Sequence, residues 1–244
     1  MSRSNPNDNG APNPSTRWFE WTGEKGLVRY YDKEAKQNVE VGPDFTFLLL
    51  DELGCVRGWH DASDSGIYSN EVKDTRQDVL VVKSFKGGPL AEGLYKDIKD
   101  RVNSMGGAFN ANCYIAYKDE KRELQLGSIR FKGATLGAWM EFRKAHRAEL
   151  FKSAVRITGY TEGQKGRVVF RVPVFEIKAI SEDTNKVATA LDLQLQEYLV
   201  GYLKKNKRDQ AESVGHHVRD EDMDPPPPQF DEPLASITDD DIPF

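Results

Sequence analysis

The chain has 244 residues, 38% of them hydrophobic and 30% charged, long enough to bury a sizeable core in one large domain or two small ones. No apolar run approaches the ~20 residues that span a bilayer, and the polar residues 1–16 lack the apolar stretch of a secretory signal, so a cytoplasmic protein is expected. The net charge of −5 conceals an asymmetry: residues 209–244 hold eleven acidic residues and one basic residue, which leaves 1–208 mildly basic, a balance that suggests a polyanion ligand and a tail able to compete for the same surface.

Along the chain, residues 1–16 are rich in Asn, Pro and Ser and read as disordered. Regular structure is expected from about Arg17 to Lys205. Short apolar runs bounded by Gly or Pro predict strands at 27–31, 45–50, 66–68, 79–85 and 108–118. Leu124, Leu126, Ile129 and Phe131 nearly alternate with polar residues, as a half-buried strand does. Further strands are expected from Val155 and over 167–178, joined by the Gly163–Gly166 turn, with Pro173 at an edge or a bulge. Strand signals at this spacing predict a mainly β (α+β) fold, a barrel or a sandwich.

Three helices interrupt the strands. Pro89 suits a first helical position, and Leu90, Leu94, Ile98, Val102 and Met105 follow at helical spacing until Gly106-Gly107. A second helix is expected over about 136–150, carrying Trp139 to pack it on the strands. A third starts after Ser181 as N-cap. Its stripe Val187, Leu191, Leu195, Tyr198 and Tyr202 predicts core packing, with a homo-oligomer interface as the minority use. Residues 206–238, with four consecutive prolines at 225–228, read as a stiff disordered linker. Cys55 and Cys113 lie far apart and outside any CxxC pair; two reduced core thiols are expected.

Cationic and aromatic residues are interleaved at four places: Arg29-Tyr30-Tyr31, Lys83-Ser84-Phe85-Lys86, Tyr114 with Tyr117 and Lys118, and Arg130-Phe131-Lys132. A sequence-independent site for single strands needs both ingredients, a basic groove for phosphates and aromatic platforms for bases. Strand alternation places Arg130 and Lys132 on one face and Phe131 on the other, in the core. Lys83 and Phe85 share a face, and Tyr30 and Tyr31 cannot both be buried. The candidate contacts are therefore Arg29, Tyr30, Tyr31, Lys83, Phe85, Lys86, Tyr114, Tyr117, Lys118, Arg130 and Lys132.

The chain ends Asp239-Asp240-Asp241-Ile242-Pro243-Phe244. Three carboxylates can steer encounter with a basic rim, Ile242 and Phe244 can fill apolar pockets, and Pro243 lowers the ordering cost of binding. This tip is similar, residue for residue, to the C-terminal tip of bacterial single-stranded DNA-binding proteins. The body resembles instead the single-stranded DNA-binding proteins of tailed bacteriophages. The stretches that carry this are Ser69-Asn70-Glu71-Val72, the run Val81-Val82-Lys83-Ser84-Phe85-Lys86-Gly87-Gly88, Lys132-Gly133-Ala134-Thr135-Leu136-Gly137-Ala138-Trp139, and residues 191–199. The resemblance implies an OB-fold-derived barrel over 17–205. It also implies DNA replication, recombination and repair proteins as partners of the tip at 239–244.

No cofactor is expected, and no catalysis. Asp51, Glu52, His60, Asp61 and Asp64 could suggest a metal-dependent nuclease, yet no second carboxylate cluster supports it and no phosphate-binding glycine motif occurs. A strand-annealing protein or recombination mediator with the same tip is the alternative to a binding hub.

Overall fold

The computed structural model describes residues 12–213, with side chains through Lys207. Residues 1–11 of the expected disordered segment 1–16, residues 214–238 of the expected linker 206–238, and the tip 239–244 lie outside these residues. Within them the fold is mixed α+β and mostly strand. Strand β1 (Arg17–Thr22), β2 (Leu27–Asp32), β3 (Gln37–Gly42), β4 (Phe45–His60), β5 (Ser65–Ser69), β6 (Leu80–Ser84) and β7 (Gly88–Gly93) precede helix α1 (Tyr95–Ser104). Then come β8 (Gly107–Lys118), β9 (Leu124–Lys132), α2 (Gly133–Ala145), β10 (Ala154–Lys165), β11 (Val168–Lys178) and α3 (Glu182–Ser213).

All eleven strands belong to one sheet, ordered β3-β2-β1-β9-β8-β4-β5-β6-β7, with the β10–β11 hairpin branching from β4. The β1–β9 pair is parallel and the other pairs are antiparallel. The sheet curls so that β1, β9, β8, β4, β10 and β11 nearly surround one core. The ring does not close into a ladder: β11 pairs only with β10. Its approach to β1 rests on Arg171 N–H donating to Gly23 O and Trp21 Nε1 donating to Arg171 O, both at 2.8 Å.

Alternation along β4, β8 and β9 gives the sheet two faces. The inner face carries Phe47, Leu49, Cys113, Ile115, Tyr117, Ile129 and Phe131, and Phe19, Trp21 and Val28 extend it. Helix α2 plugs one end, with fully buried Trp139 lying 5.1 Å from Phe131 and 5.3 Å from Phe175. The indole N–H donates to Glu52 Oε2 at 2.8 Å, and Arg143 pairs with the same carboxylate. Further along the sheet a second core of Val56, Ile67, Leu80, Val82 and Leu90 receives α1 through Tyr95, Ile98 and Val102. Both cysteines are buried and unpaired.

On the outer face, α3 covers only one half of the sheet. Leu195 and Leu199 pack on Leu53, Tyr114 and Leu126, and Ala188 packs near Leu48 and Ala116. Ser181 caps α3, accepting from Thr184 N–H at 3.2 Å.

Several expectations are corrected. Pro89 lies in β7, whose pairing with β6 takes the apolar run at Leu90, so α1 begins only at Tyr95. Helix α2 starts at Gly133 and ends at Ala145, because the chain must turn before β10. Of the expected stripe of α3, Leu191, Leu195 and Tyr198 pack on the sheet and the Tyr202 hydroxyl bonds to Glu71, joined by buried Ala188 and Leu199, whereas Val187 is exposed; the helix passes the expected boundary at 205 to Ser213. Within the segment expected to be disordered, Thr16 N–H donates to Leu126 O at 2.8 Å and Ser15 is buried. Pro173 sits on edge strand β11, beside the register shift at Ile157/Gly159.

Truncating Trp139 to Ala is expected to cost about 3–5 kcal/mol, because the indole fills the mouth of the inner core. Equilibrium denaturant unfolding measures it. A loss below ~1 kcal/mol would mean that α2 is not the plug of that core.

Candidate nucleic-acid interface

The half of the outer face that α3 leaves open is a trough whose floor is small and polar. Cys55, Asn110 and Asn112 are almost fully buried there. Register brings the cations to it: Arg130 stands opposite Asn112, Lys132 opposite Asn110 and Arg57 opposite Ala108. On the β1 side, Glu20 neighbours Arg130, and Arg29 bonds to Glu20 at 2.5 Å. Trp18 and Tyr31 are half-buried on the same face, with Lys33 Nζ 4.6 Å from the Trp18 ring.

The β4–β5–β6 side supplies aromatic surface. Trp59 is half-buried opposite Gly66. Phe85 is 38% exposed and stacks on Tyr68 at 4.4 Å. The ring packs beside Gly66, where a Cβ would lie 3.4 Å from its edge atoms. Lys83 pairs in register with Tyr68, and Lys86 Nζ donates to Asp64 O at 3.1 Å from the adjoining turn.

Where the trough meets α3, Glu71 is buried. Its carboxylate accepts from Asn112 Nδ2 at 2.8 Å and from the Tyr114 hydroxyl at 2.7 Å. Its backbone N–H donates to the Tyr202 hydroxyl at 2.8 Å. Burial raises the Glu71 pKa above the ordinary carboxylate range, opposed by the nearby Arg57 charge and by these hydrogen bonds. Burial likewise pushes the Tyr202 hydroxyl up to about 12. Burial and then the neighbouring Arg57 lower the pKa of Arg130, so two half-buried guanidiniums lie near enough to repel.

The expected contact residues divide. Arg130 and Lys132 share the open face while Phe131 is in the core, as alternation requires, and Tyr31, Lys83, Phe85 and Lys86 border the same trough. Three tyrosines are corrected: Tyr30, Tyr114 and Tyr117 are buried and present no free ring face to a base. Tyr114 lies under α3. Tyr30 and Tyr117 are core residues capped by Arg17, whose guanidinium is 4.5 Å and 5.8 Å from their ring centres. Arg29 is committed to Glu20. Lys118 is exposed, but eight residues of β8 separate it from Asn110, roughly 26 Å at ~3.3 Å per residue, so it stands beyond α3 and away from the trough.

Four residues were not among the expected contacts: Trp18, Arg57, Trp59 and Tyr68; of these, the sequence left Trp18 and Trp59 open between core and platform. The triplet Arg57-Gly58-Trp59 carried a signal, a cation and a large aromatic two apart and hence on one face. It was hidden because the 16-residue strand β4 reads in sequence as a strand ending near Leu50.

Among the described residues no cluster of three His, Cys, Asp or Glu side chains could hold a metal ion, and no helix is long and apolar enough to cross a membrane. Compared with protein-family models, curated proteins and solved structures, the chain matches none.

The raised Glu71 pKa fixes a sign for pH dependence. Its folded-state value exceeds the unfolded one, so folding favours the protonated carboxyl, and the stability this contributes is lost as pH rises through the folded pKa. Glu71→Gln is expected to remove that decline, since an amide can still accept from Tyr114 and pair with a reoriented Asn112. Denaturant midpoints measured from about pH 4.5 upward test this; identical pH profiles for both proteins would contradict it.

Proposed function

We propose that the chain is a sequence-independent single-stranded DNA-binding protein. The strand would lie along the open trough, and residues 239–244 would recruit replication, recombination and repair proteins. The observation that carries this reading is the alternation, on one rigid sheet face, of aromatic surface (Trp18, Tyr31, Trp59, and Phe85 on Tyr68) with the cations Arg57, Lys83, Arg130 and Lys132. Splayed bases stack on such rings whatever their identity, and the cations track the phosphates. A duplex hides its base faces and gains only the charge. Descent from an OB barrel is part of the proposal, supported by the near-closed ring with its parallel β1–β9 pair and the helix plugging one end.

Fluorescence anisotropy of a labelled oligo-dT of about 30 nucleotides, against a duplex of equal length and across a salt series, tests the reading. Tight, salt-sensitive binding of the single strand and much weaker duplex binding are expected, with log K falling by ~0.7 per phosphate contact for each decade of salt. Trp59→Ala and Phe85→Ala are each expected to weaken binding by about 1–3 kcal/mol, and Tyr117→Ala to lower stability instead. Equal affinity for duplex, or affinity indifferent to salt, would sink the proposal.

Deleting 239–244 is expected to leave strand affinity intact or raise it in the same assay, because three competing carboxylates are lost. Abolished binding would make the tip part of the strand site and not a recruitment element.

A further inference from the structure

The trough contains a local charge imbalance that the general reading does not use. Around its floor stand Arg29, Arg57 and Arg130, with exposed Lys132 at the rim and Glu20 and Glu71 as the facing carboxylates. Glu20 is taken by Arg29. Glu71 is taken by Asn112 and Tyr114, and its raised pKa weakens it as a counter-charge. Neither Arg57 nor Arg130 has a carboxylate within 4.0 Å among the described residues. The Arg57 Nε–H is buried and makes no hydrogen bond of good geometry among them; the side chain's one weak acceptor is the Cys55 thiol beside it.

Two half-buried guanidiniums side by side repel each other, and a buried donor without an acceptor is unfavourable. An arrangement of this kind is stable in a working protein when an anion completes it. Arginine's planar fork matches a tetrahedral phosphate, and two forks converging from β4 and β9 can hold its two free oxygens at once. The floor is lined by Cys55 and Asn110, with Ala108 beside them, so a phosphodiester can descend between the arginines where a bulkier strand face would exclude it.

We propose that Arg57 and Arg130 form a two-arginine fork that clamps one phosphate of the bound strand at the floor of the trough, fixing the point where the strand crosses β4, β8 and β9. This rests on the single-strand reading and deepens it. The other cations, Lys83, Lys86 and Lys132, follow neighbouring phosphates from the rim, as exchangeable point charges. The fork makes the site uneven: one phosphate is held by directional hydrogen bonds and the flanking ones by charge alone.

The test is a double-mutant cycle in the full chain with the same oligo-dT. Arg57→Gln and Arg130→Gln are each expected to weaken binding by about tenfold or more. Because both act on one phosphate, the double variant is expected to lose less than the product of the two effects. Its salt slope should fall by about 0.7, the share of a single contact. Lys86→Gln combined with either arginine variant is expected to behave multiplicatively. Arg57→Lys and Arg130→Lys keep the charge and the fold yet lose the fork, so they should stay weakened at low salt, with thermal unfolding unchanged. Multiplicative losses with a slope change of about 1.4 would mean two separate phosphates and would overturn the fork. Full affinity in the Lys variants would overturn it as well. If the unaltered chain shows no preference for the single strand, the underlying reading fails first; intact strand preference with silent arginine variants defeats the fork alone.

Discussion

The Glu71 carboxylate lies buried between the sheet and α3, and much of the outer surface is organised around it. A buried carboxylate is tolerated only when its oxygens are hydrogen-bonded. Here the donors come from β8, through Asn112 and Tyr114, and Arg57 on β4 supplies the nearest positive field. The same residue's backbone N–H must also find an acceptor, and it finds the Tyr202 hydroxyl of α3. The helix is thereby pinned over Leu53, Tyr114 and Leu126. The sheet beyond Glu71 stays uncovered, and the trough begins where the helix contacts end.

The two faces of β4, β8 and β9 carry unequal duties. Beneath, an aromatic core closed by Trp139 and α2 holds the strands rigid. Above, where α3 does not cover them, the same strands present polar and cationic side chains at fixed two-residue intervals. A site built on strands of a full core is preorganised, so a ligand need not order it on binding. The side walls are equally constrained: Asn70 accepts from Val81 N–H at 2.7 Å and donates to Val79 O at 3.0 Å, tying the 70–79 loop beside β6. Phe85 is held by its stack on Tyr68, 4.4 Å between ring centres, and still leaves part of its surface exposed.

Sequence periodicity was informative where one strand or helix faced a single environment. Arg130, Phe131 and Lys132 divided between the faces as alternation demands, and α3 with its Ser181 cap could be read from local chemistry. It failed where a residue's surroundings come from distant chain. Tyr114 and Tyr117 sit beside a lysine in sequence, which suggested platforms. They are buried because β8 has a core beneath one face and α3, some 80 residues later, over the other. Pro89 was read as a helix start because a one-sided apolar run looks alike in a strand and in a helix, and only the pairing of β7 with β6 decides between them. Arg57 was missed, and Trp59 was left undecided between core and platform, because the length of β4 depends on its partner β8.

By itself, the sequence determined what local physics can determine. It marked a strand-rich body with three helices, the alternating faces of β9, a mildly basic domain before an acidic tail, and an acidic-apolar terminus. These follow from hydrophobic period, capping and charge count, which need no knowledge of what lies across space. Only the tertiary structure decided which half of the sheet α3 covers, which tyrosines are core, and which arginines neighbour each other with no carboxylate within 4.0 Å among the described residues. Those outcomes depend on strand register and on contacts between residues far apart in the chain. A shift of one residue would exchange the faces of a strand without altering its sequence pattern.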